Sequence, residues 1–349
     1  MRLIKKALMG IYSLKRFLTK ESECPIKMNL ATRLRMWRLG FLGESYFIYS
    51  FSKNNPKNYI SDFLRFYKVS LINGSFSILL DNKILFERVI NSLTEKPIVP
   101  FSLLYIKDGR FFPLRISIED WRKRFEKGER FVLKPVSGGG GFNVKIIKYE
   151  KGKAIVNGAK VVVSQFYKEL QRLDNYIITE FVNQAEYSKE IYPYTVNTIR
   201  ILTMWDYENS IPFIAIAVHR IGTQRSYPVD NWTQGGMSAH INIETGELGP
   251  GVTYPFDGKL RFYSRHPETD SPIQGVRVPN WEKVRETVLK LASNLPFLPY
   301  IAWDVVLDEN KNIRIIEGNS NTDVNLLQVH KPFLSDARIK KFYSYHGVL

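Results

Sequence analysis

The chain has 349 residues, of which 44% are hydrophobic, and a formal net charge of +16. This length and composition allow a large core divided over two or three lobes. The one cysteine, Cys24, excludes a disulfide framework. No apolar run approaches the roughly 18 residues of a spanning helix, while the strong positive charge raises nucleic acid or an anionic membrane as partners.

Residues 1–20 are predicted to form a basic amphipathic helix. Its apolar face contains Ile4, Leu8, Ile11, Leu14 and Leu18, and the surrounding basic residues are Lys5, Lys6, Lys15, Arg16 and Lys20. Such a helix can lie on an anionic membrane, or it can pack on the rest of the protein with its basic face in water. Because Lys15-Arg16 interrupts the apolar stretch, we expect no cleavable signal. We expect a cytoplasmic protein, with contact to the inner face of the membrane through residues 1–20 as the open alternative.

The remaining pattern divides the chain into four segments. Residues 1–95 are predicted to be mainly helical, with further helices at Asn29–Phe47, Asn58–Phe66 and Asp81–Leu93. Residues 96–127 are a connecting segment in which Ser117 precedes a helix that begins near Trp121. Residues 128–194 form a first lobe and residues 195–349 a second lobe, in which strands precede a helix at Trp281–Ser293.

A glycine-rich loop lies between two predicted strands in the first lobe. The strand Phe131–Pro135 contains Lys134 near its end, the sequence continues through Ser137 to four glycines, and Phe142–Ile147 leads away. Bare backbone N–H groups of such a loop can cradle phosphates, and the lysine places an ammonium group beside them. The Walker A pattern is absent. Taken alone, the glycines are equally compatible with a flexible hairpin tip.

A second motif, at residues 300–319, predicts a β-hairpin with two acidic residues. The apolar runs Tyr300–Leu307 and Ile313–Asn319 flank a polar turn, which places Asp304 almost opposite Glu317. Glu317 and Asn319 project from the same face. Two carboxylates and an amide oxygen suit Mg²⁺, and the repulsion between facing carboxylates favours a cation between them. A purely structural acid pair is the alternative.

Together these motifs resemble those of ATP-grasp enzymes, and more closely the sugar-transfer-associated ATP-grasp family of polysaccharide biosynthesis loci. The resemblance covers roughly residues 110–330 and implies an α+β fold, in which two α+β lobes sandwich the nucleotide after a mainly helical N-terminal region. The matching segments are Lys134-Pro135 with its loop, Tyr176–Val182, Asn197–Ile201, Asp230-Asn231, Gly235-Gly236, Thr245-Gly246, Val278–Trp281, Trp303-Asp304 and Glu317–Asn319.

The resemblance also implies roles for individual residues. Lys134 would contact the α- and β-phosphates of ATP, and Arg200 would face the γ-phosphate or an acyl phosphate. One or two Mg²⁺ ions would be bound by Asp304, Glu317 and Asn319. The loop that closes over the triphosphate would comprise Ser137, Gly138, Gly139, Gly140 and Gly141, and the hinge beside the adenine would comprise Glu180, Phe181 and Val182.

Two features depart from the superfamily pattern. The ribose-binding acid expected about seven positions after the hinge glutamate is replaced by Tyr187, with Glu186 and Glu190 nearby. A second phosphate-binding lysine, usual on an earlier strand, is not identifiable. Arg200 also has an alternative role, since it alternates with apolar residues on a strand and can pair with a structural acid.

The polar loop Thr223–Gly236 has no core pattern and lies in the second lobe. Loops of this kind often carry substrate contacts, so Asn231 and Gln234 are predicted to contact substrate, with a plain surface connection as the alternative. His330, just beyond the metal motif, is a further candidate for substrate contact.

The resemblance implies an ATP- and Mg²⁺-dependent ligase that activates a carboxylate as an acyl phosphate for attack by an amine. The substrate would be a sugar or a precursor in surface polysaccharide biosynthesis. Alternatives are a phosphotransferase acting on a sugar hydroxyl and a non-catalytic ATP-binding protein. A basic nucleic-acid-binding module has less support, because no zinc-finger spacing or RNP-type motif occurs.

Overall fold

A computed structural model describes the chain from residue 2 to residue 349, and its side chains from residue 9 onward. The helices of this part of the chain are α1 Arg2–Ser22, α2 Leu30–Arg38, α3 Ser45–Ile48, α4 Asp62–Tyr67, α5 Ile78–Asp81, α6 Lys83–Ser92, α7 Ile118–Glu126, α8 Val163–Leu170, α9 Glu186–Ile191, α10 Trp281–Ser293, α11 Asn325–Gln328 and α12 Ala337–Tyr345. The strands are β1 Ser102–Lys107, β2 Arg110–Pro113, β3 Phe131–Pro135, β4 Lys145–Glu150, β5 Lys153–Val156, β6 Ala159–Val161, β7 Tyr176–Glu180, β8 Ile199–Asp206, β9 Ile211–Ile221, β10 Met237–Ile241, β11 Leu248–Thr253, β12 Arg261–Tyr263, β13 Tyr300–Leu307 and β14 Ile313–Asn319.

The strands form two antiparallel sheets. The first has the order β2-β1-β7-β3-β4-β5-β6 and the second the order β12-β11-β10-β9-β8-β13-β14. Residues 2–95 contain α1–α6 and no strand, so the predicted α+β architecture with a helical N-terminal region is confirmed. The segment 96–127 does more than connect, because β1 pairs with β7 and thereby extends the first sheet.

Aromatic side chains fill the core of the first lobe. Trp121 and Phe125 of α7 stack with ring centroids 5.5 Å apart, and Phe125 stacks on Phe166 of α8 at 5.2 Å. Helix α7 begins at Ile118, three residues before the predicted start near Trp121, and the Ser117 side chain caps it by accepting a hydrogen bond from the Asp120 N–H. The stacked rings pack against the first sheet and leave its other face for the space between the lobes.

Helices cover both faces of the second sheet. The residues of α6 and α10 pack on one face, and the N-terminal segment with α12 packs on the other. Strand β9 is buried from Pro212 to Ile221, as expected for a strand with both faces covered. The second sheet is therefore a rigid base for the residues at its edge.

Helix α1 packs on the protein body through a different face from the apolar stripe identified in the sequence. Ser13 and Phe17 are buried, and the Ser13 hydroxyl donates to the carbonyl of Phe66 at 3.2 Å. Ile11, Leu14 and Leu18, by contrast, are 67%, 50% and 48% exposed. The other members of the predicted pattern, Ile4, Lys5, Lys6 and Leu8, lie outside the described side chains. No helix between residues 2 and 349 is long and apolar enough to cross a bilayer.

The predicted helix Asn29–Phe47 is wrong in its second half. Asn29 does cap a helix, accepting from the Thr32 N–H, but α2 ends at Arg38. Gly40 has a φ of 78°, a left-handed value that glycine adopts without strain and that ends the helix. The chain then turns back, and a short separate helix, α3, follows.

Candidate active site

A cavity of about 810 Å³ lies between the two sheets and brings most of the predicted site residues together. Its wall includes the glycine loop, the end of β7, the first part of β8 and the end of β14. Ser137 and Gln234 are not part of this wall. The predicted residues that line it are Lys134, Gly138, Gly139, Gly140, Gly141, Glu180, Phe181, Val182, Arg200, Asn231, Asp304, Glu317 and Asn319.

The glycine loop needs its glycines for conformation and for space. Gly138, Gly140 and Gly141 have φ values of 114°, 75° and 71°, in the region that other residues rarely adopt. A Cβ on Gly141 would lie 3.0 Å from the side chain of Val229. The loop can therefore bring its backbone close to a ligand and to the loop at residues 223–236.

Asn231 and Gln234 hold the glycine loop from the second lobe. The Asn231 side-chain N–H₂ donates to the carbonyl of Gly140 at 2.6 Å, and that of Gln234 donates to the same carbonyl at 3.0 Å. Both side-chain amides are therefore hydrogen-bonded within the protein. Their contact with substrate stays a prediction. His330 is bonded to Ser238, and burial, with a contribution from His240, lowers its pKa to about 3.

Two lysines line the cavity beside the glycine loop. Lys134 on β3 is 8% exposed, and burial lowers its pKa to about 8, with a further lowering by Lys83 and an opposing effect of Glu317. Lys83 donates to the carbonyl of Gly138 at 2.7 Å and lies 3.7 Å from a carboxylate oxygen of Glu317. An anion between the two ammonium groups would relieve their repulsion.

The position of Lys83 makes it a candidate for the second lysine that the sequence analysis did not identify. It opens α6, whose cap is the Asn82 side chain, and so it lies at a helix N-terminus rather than on a strand. A cation is unfavourable there, because the N-terminal end of a helix carries partial positive charge. A lysine at a helix N-terminus could therefore have indicated an anion site in the sequence, because a bound anion would offset the repulsion between the lysine and the helix dipole.

The hinge residues form the opposite end of the cavity. The Glu180 carboxylate accepts from the Phe101 N–H at 3.0 Å and lies 3.8 Å from the Arg314 guanidinium. Its side chain therefore ties β7 to the start of β1, while Val182 is buried at the wall. The cavity wall also includes the apolar side chains of Val132, Ile146, Val182 and Ile316, which are of a kind that can contact an aromatic base.

The expected ribose-binding acid is absent from this cavity. Tyr187 lies on α9, with its hydroxyl 3.0 Å from a ring nitrogen of His219. Glu186 is exposed and faces Lys189 at 3.5 Å. Neither these two residues nor Glu190 lines the wall. The structure therefore does not place an acid from this segment in the cavity.

The hairpin register predicted from the sequence is confirmed, but the partners of Asp304 are different from those expected. Asp304 is paired with Glu317 across β13 and β14. Its carboxylate accepts from two nitrogens of Arg200, one of them at 2.9 Å, and from Arg220 at 3.0 Å. Burial alone would raise the pKa of Asp304, but the two guanidiniums outweigh it and hold the pKa below its ordinary value. Arginines therefore supply the positive charge that the sequence analysis assigned to a cation.

This ion pair belongs to a longer buried network. Arg220 also bonds to Asp230, whose carboxylate accepts from the Thr198 N–H at 2.8 Å and from its hydroxyl at 2.6 Å. Arg200 donates to the Thr322 hydroxyl at 2.6 Å. Arg220 was missed in the sequence because nothing in its strand distinguishes it before the neighbouring strands are known.

Glu317 and Asn319 carry the oxygens that remain for a metal ion. The Glu317 side chain is 19% exposed and lies at the wall. The Asn319 N–H₂ donates to the carbonyl of Ala302 at 3.4 Å, which leaves Oδ1 on the side of the glycine loop. Residues 9–349 hold no cluster of three acidic, histidine or cysteine side chains suited to a metal. The set still fits Mg²⁺, which takes one or two carboxylates and completes its shell with water and phosphate oxygens.

Solved structures with similar folds include the ATP-grasp ligase PsnB in complex with a minimal precursor, at 12% identity and a TM-score of 0.41, over 80% of this chain and 64% of that chain. Biotin carboxylase from Campylobacter jejuni matches at 13% identity and a TM-score of 0.43, over 75% and 46%. The D-Ala:D-Ser ligase VanG from Enterococcus faecalis matches at 11% identity and a TM-score of 0.41, over 82% and 64%. The chain thus spans less than two thirds of the length of each.

A family model supplies the sequence-level comparison. The model described as sugar-transfer associated ATP-grasp matches residues 63–340. No curated protein matches the chain. The matched range contains the first lobe, the second lobe up to residue 340, and every residue of the glycine loop, the hinge and the β13–β14 hairpin. The chain therefore belongs to the sugar-transfer associated ATP-grasp family and has the ATP-grasp fold.

Proposed function

We propose that the protein is an ATP- and Mg²⁺-dependent ligase that phosphorylates a carboxylate and passes the acyl group to an amine. ATP-grasp enzymes are ATP-dependent ligases, and the description of this family associates it with sugar transfer. The acceptor would be a sugar or a precursor of a surface polysaccharide. The observation that carries the proposal is the convergence of Lys83, Lys134, the glycine loop and Glu317 on one cavity.

The lining of the cavity suggests an order for the parts of a nucleotide along its length. The base would lie beside the apolar side chains of Val182 and Ile316, near the hinge. The triphosphate would then extend under the backbone N–H groups of the glycine loop, with Lys134 and Lys83 beside it. Both ammonium groups are already positioned in the protein without ligand. They can therefore stabilise negative charge on the phosphates without reorganisation of the protein.

Glu317 and Asn319 would hold Mg²⁺, with Asp304 behind them. The ion, when bound, offsets negative charge on the phosphate oxygens. Arg200 and Arg220 line the same wall, and their bonds to Asp304 fix their guanidinium planes. We propose that Arg200 adds positive charge at the γ-phosphate end, where it would also face the acyl phosphate.

The reaction would proceed in two transfers. A carboxylate oxygen of the substrate attacks the γ-phosphorus of ATP, the bond to the β-γ bridging oxygen breaks, and ADP leaves. The amine nitrogen then attacks the carbonyl carbon of the acyl phosphate, phosphate leaves, and the nitrogen loses a proton. The protein contributes position and charge, since both steps depend on alignment of reactants more than on covalent chemistry of the enzyme.

The test is ATP binding by calorimetry with and without Mg²⁺, on the wild type, Glu317→Ala and the matched control Glu309→Ala. Glu309 is exposed at the turn of the same hairpin. We expect Mg²⁺-dependent binding in the wild type and the control and its loss in Glu317→Ala. ATP binding that is equal in all three proteins would contradict the assignment of the metal site.

Turnover with candidate sugar acids and amines then tests the reaction class. A ligase releases ADP and free phosphate in equal amounts and forms an amide. A phosphotransferase would instead leave a phosphorylated sugar and no free phosphate. A phosphorylated sugar without free phosphate would support the ATP site but contradict the proposed ligase reaction.

A further inference from the structure

We infer that the end of the cavity away from the hinge is an anion subsite, built by Arg16 and Arg65, for a phosphate or carboxylate group of the substrate that carries the reacting carboxylate. The inference rests on the proposed function and extends it to a substrate class. Beyond the metal hairpin, the cavity wall continues along Ser320–Asp323 to α4 and α1. Arg65 of α4 and Arg16 and Lys20 of α1 line this end.

Arg65 is a buried guanidinium with unused hydrogen-bonding capacity. It is 9% exposed, and one terminal nitrogen pairs with Asp323 at 3.1 Å. Its Nε is buried without a hydrogen-bond partner within the described part of the chain. A buried donor without an acceptor is unfavourable, so an acceptor from a ligand is the natural partner for this group.

Arg16 approaches the same place from α1. The guanidinium carbons of Arg16 and Arg65 lie 4.8 Å and 5.2 Å from the ring centroid of Phe66. Among residues 9–349, no carboxylate lies within ion-pair distance of Arg16. Burial and the charge of Arg65 both lower the pKa of Arg16. Two cations brought together in this way favour an anion between them, and arginine binds phosphate and carboxylate groups in a bidentate manner.

The remaining groups at this end suit a sugar-like ligand. Asp81 is already used by the Ser320 hydroxyl, and Asp323 by Arg65. The side-chain oxygen of Asn321 is buried without a donor in the described part of the chain, and Asn321 lines the cavity. It can accept from a hydroxyl or amide of the substrate. The subsite therefore favours a carboxylate substrate with a second anionic group besides the reacting carboxylate, together with hydrogen-bond donors.

The test measures binding of inorganic phosphate with the nucleotide site filled by AMPPNP and Mg²⁺, on the wild type and Arg16→Gln. The control is Arg35→Gln, an exposed arginine on α2. We expect Arg16→Gln to weaken phosphate binding about tenfold or more, as for loss of a charge-assisted hydrogen bond, and the control to leave it unchanged. Equal binding in all three proteins would overturn the inference.

Glu317→Ala separates this inference from the proposed function. If the ATP site fails in that variant but phosphate still binds in a manner that depends on Arg16, the subsite stands by itself. If phosphate binding disappears with Glu317→Ala and ignores Arg16→Gln, the anion occupies only the nucleotide site and the subsite is refuted. A water-soluble sugar 1-phosphate and a short-chain lipid phosphate, compared on the same proteins, show which source of the phosphate group binds more tightly.

A separate observation carries a second inference. We propose that the outer face of α1 binds an anionic membrane surface. Ile11, Leu14 and Leu18 follow the spacing of one helical face and are all largely exposed. Tyr12 beside them is 60% exposed, and Lys15 is exposed on the same helix.

The neighbouring helix has the same combination of side chains. Leu30 and Leu34 of α2 are 67% and 50% exposed, while Arg35 and Arg38 are exposed among them. Arg33 of α2 forms an ion pair with Glu21 of α1 at 2.9 Å, which links the two helices. Apolar side chains surrounded by basic ones match a bilayer with anionic headgroups, because both the acyl boundary and the surface charge are complementary.

The test is sedimentation with vesicles of phosphatidylcholine alone or mixed with phosphatidylglycerol. We expect the wild type to sediment with the mixed vesicles and a variant with Ile11→Ser, Leu14→Ser and Leu18→Ser to stay in solution. The control Ile211→Ser removes an equally exposed residue, 55% accessible, from the other lobe. Unchanged sedimentation of the triple variant, or loss of a dimer in that variant without vesicles, would overturn the membrane assignment.

Discussion

Replacement of Lys134 by methionine is expected to stabilise the protein while it abolishes ATP binding. Lys134 is buried, and the fall of its pKa from 10.5 to about 8 measures the cost of keeping it charged. At 1.36 kcal/mol per pKa unit, that fall corresponds to about 3 kcal/mol. Methionine has a similar length and no charge, so the variant should recover most of this free energy of unfolding at pH 7.

The stability of the wild type should depend on pH because Lys134 loses its proton at a lower pH in the folded protein than in the unfolded chain. Between pH 8 and pH 10.5 the unfolded chain keeps a proton on Lys134 that the folded protein has lost. The contribution of this residue to the free energy of unfolding therefore rises with pH across that window. Below pH 8 both the folded and the unfolded protein carry this proton, so the full cost of the buried charge applies. The advantage of Lys134→Met over the wild type should be about 3 kcal/mol at pH 7 and should shrink as the pH approaches 10.

Urea unfolding at several pH values, followed by circular dichroism, measures both effects. The matched control is Lys160→Met, which removes an exposed lysine from β6 and should change stability by no more than about 0.5 kcal/mol. A Lys134→Met protein that is no more stable than the wild type at pH 7, or whose advantage does not change with pH, would refute the reasoning. Retained ATP binding in this variant would refute the assignment of Lys134 to the phosphates.

Three further predictions follow from the same side chains. ATP affinity in the wild type should fall as the pH rises through about 8, because Lys134 loses its proton, and calorimetry should show no such fall for Lys134→Arg. Asp304→Asn should destabilise the protein by about 3–5 kcal/mol in urea unfolding, because it leaves the buried guanidiniums of Arg200 and Arg220 unpaired; a change below about 1 kcal/mol would contradict the network. Burial raises the pKa of Glu44 to about 7, with Tyr254 opposing and Asp62, Asp323 and Glu21 adding to the rise. Stability should therefore decrease as the pH rises from 4.5 to about 7, by at most about 3 kcal/mol, and Glu44→Gln should remove that slope.

The sequence was sufficient for features that depend on neighbours along the chain. The pairing of Asp304 with Glu317 follows from a short turn between two apolar runs, because a hairpin fixes its own register. The glycine loop and Lys134 are likewise adjacent in sequence. The break at Gly40 was missed, because an isolated glycine within an apolar pattern does not by itself stop a helix.

Features that depend on the order of strands in the sheet could not be predicted from the sequence. Arg220 reaches Asp304 because β9 lies beside β8 and β8 beside β13, an arrangement that no local pattern specifies. Lys83 reaches Glu317 because α6 packs against the hairpin, where Gly318 leaves room for the ring of Phe86. A carboxylate in an apolar strand reveals that it needs positive charge but does not reveal its source, so the arginines around Asp304 were not foreseen. Binding of Mg²⁺ by Asp304 stays a prediction.

The buried network gives the glycine loop a fixed support. Asp230 is anchored inside the second lobe by Arg220 and by Thr198, and the next residue, Asn231, donates to the carbonyl of Gly140 in the loop. Asp304, Arg200, Arg220 and Asp230 carry two positive and two negative charges, so the network is neutral as a unit and need not be compensated by the ligand. The network fixes positions, because a shift of the Asp304 side chain would move Arg220, then Asp230, and finally Asn231, which holds the glycine loop. The same contacts that neutralise the acid of the metal hairpin thus determine where the glycine loop lies.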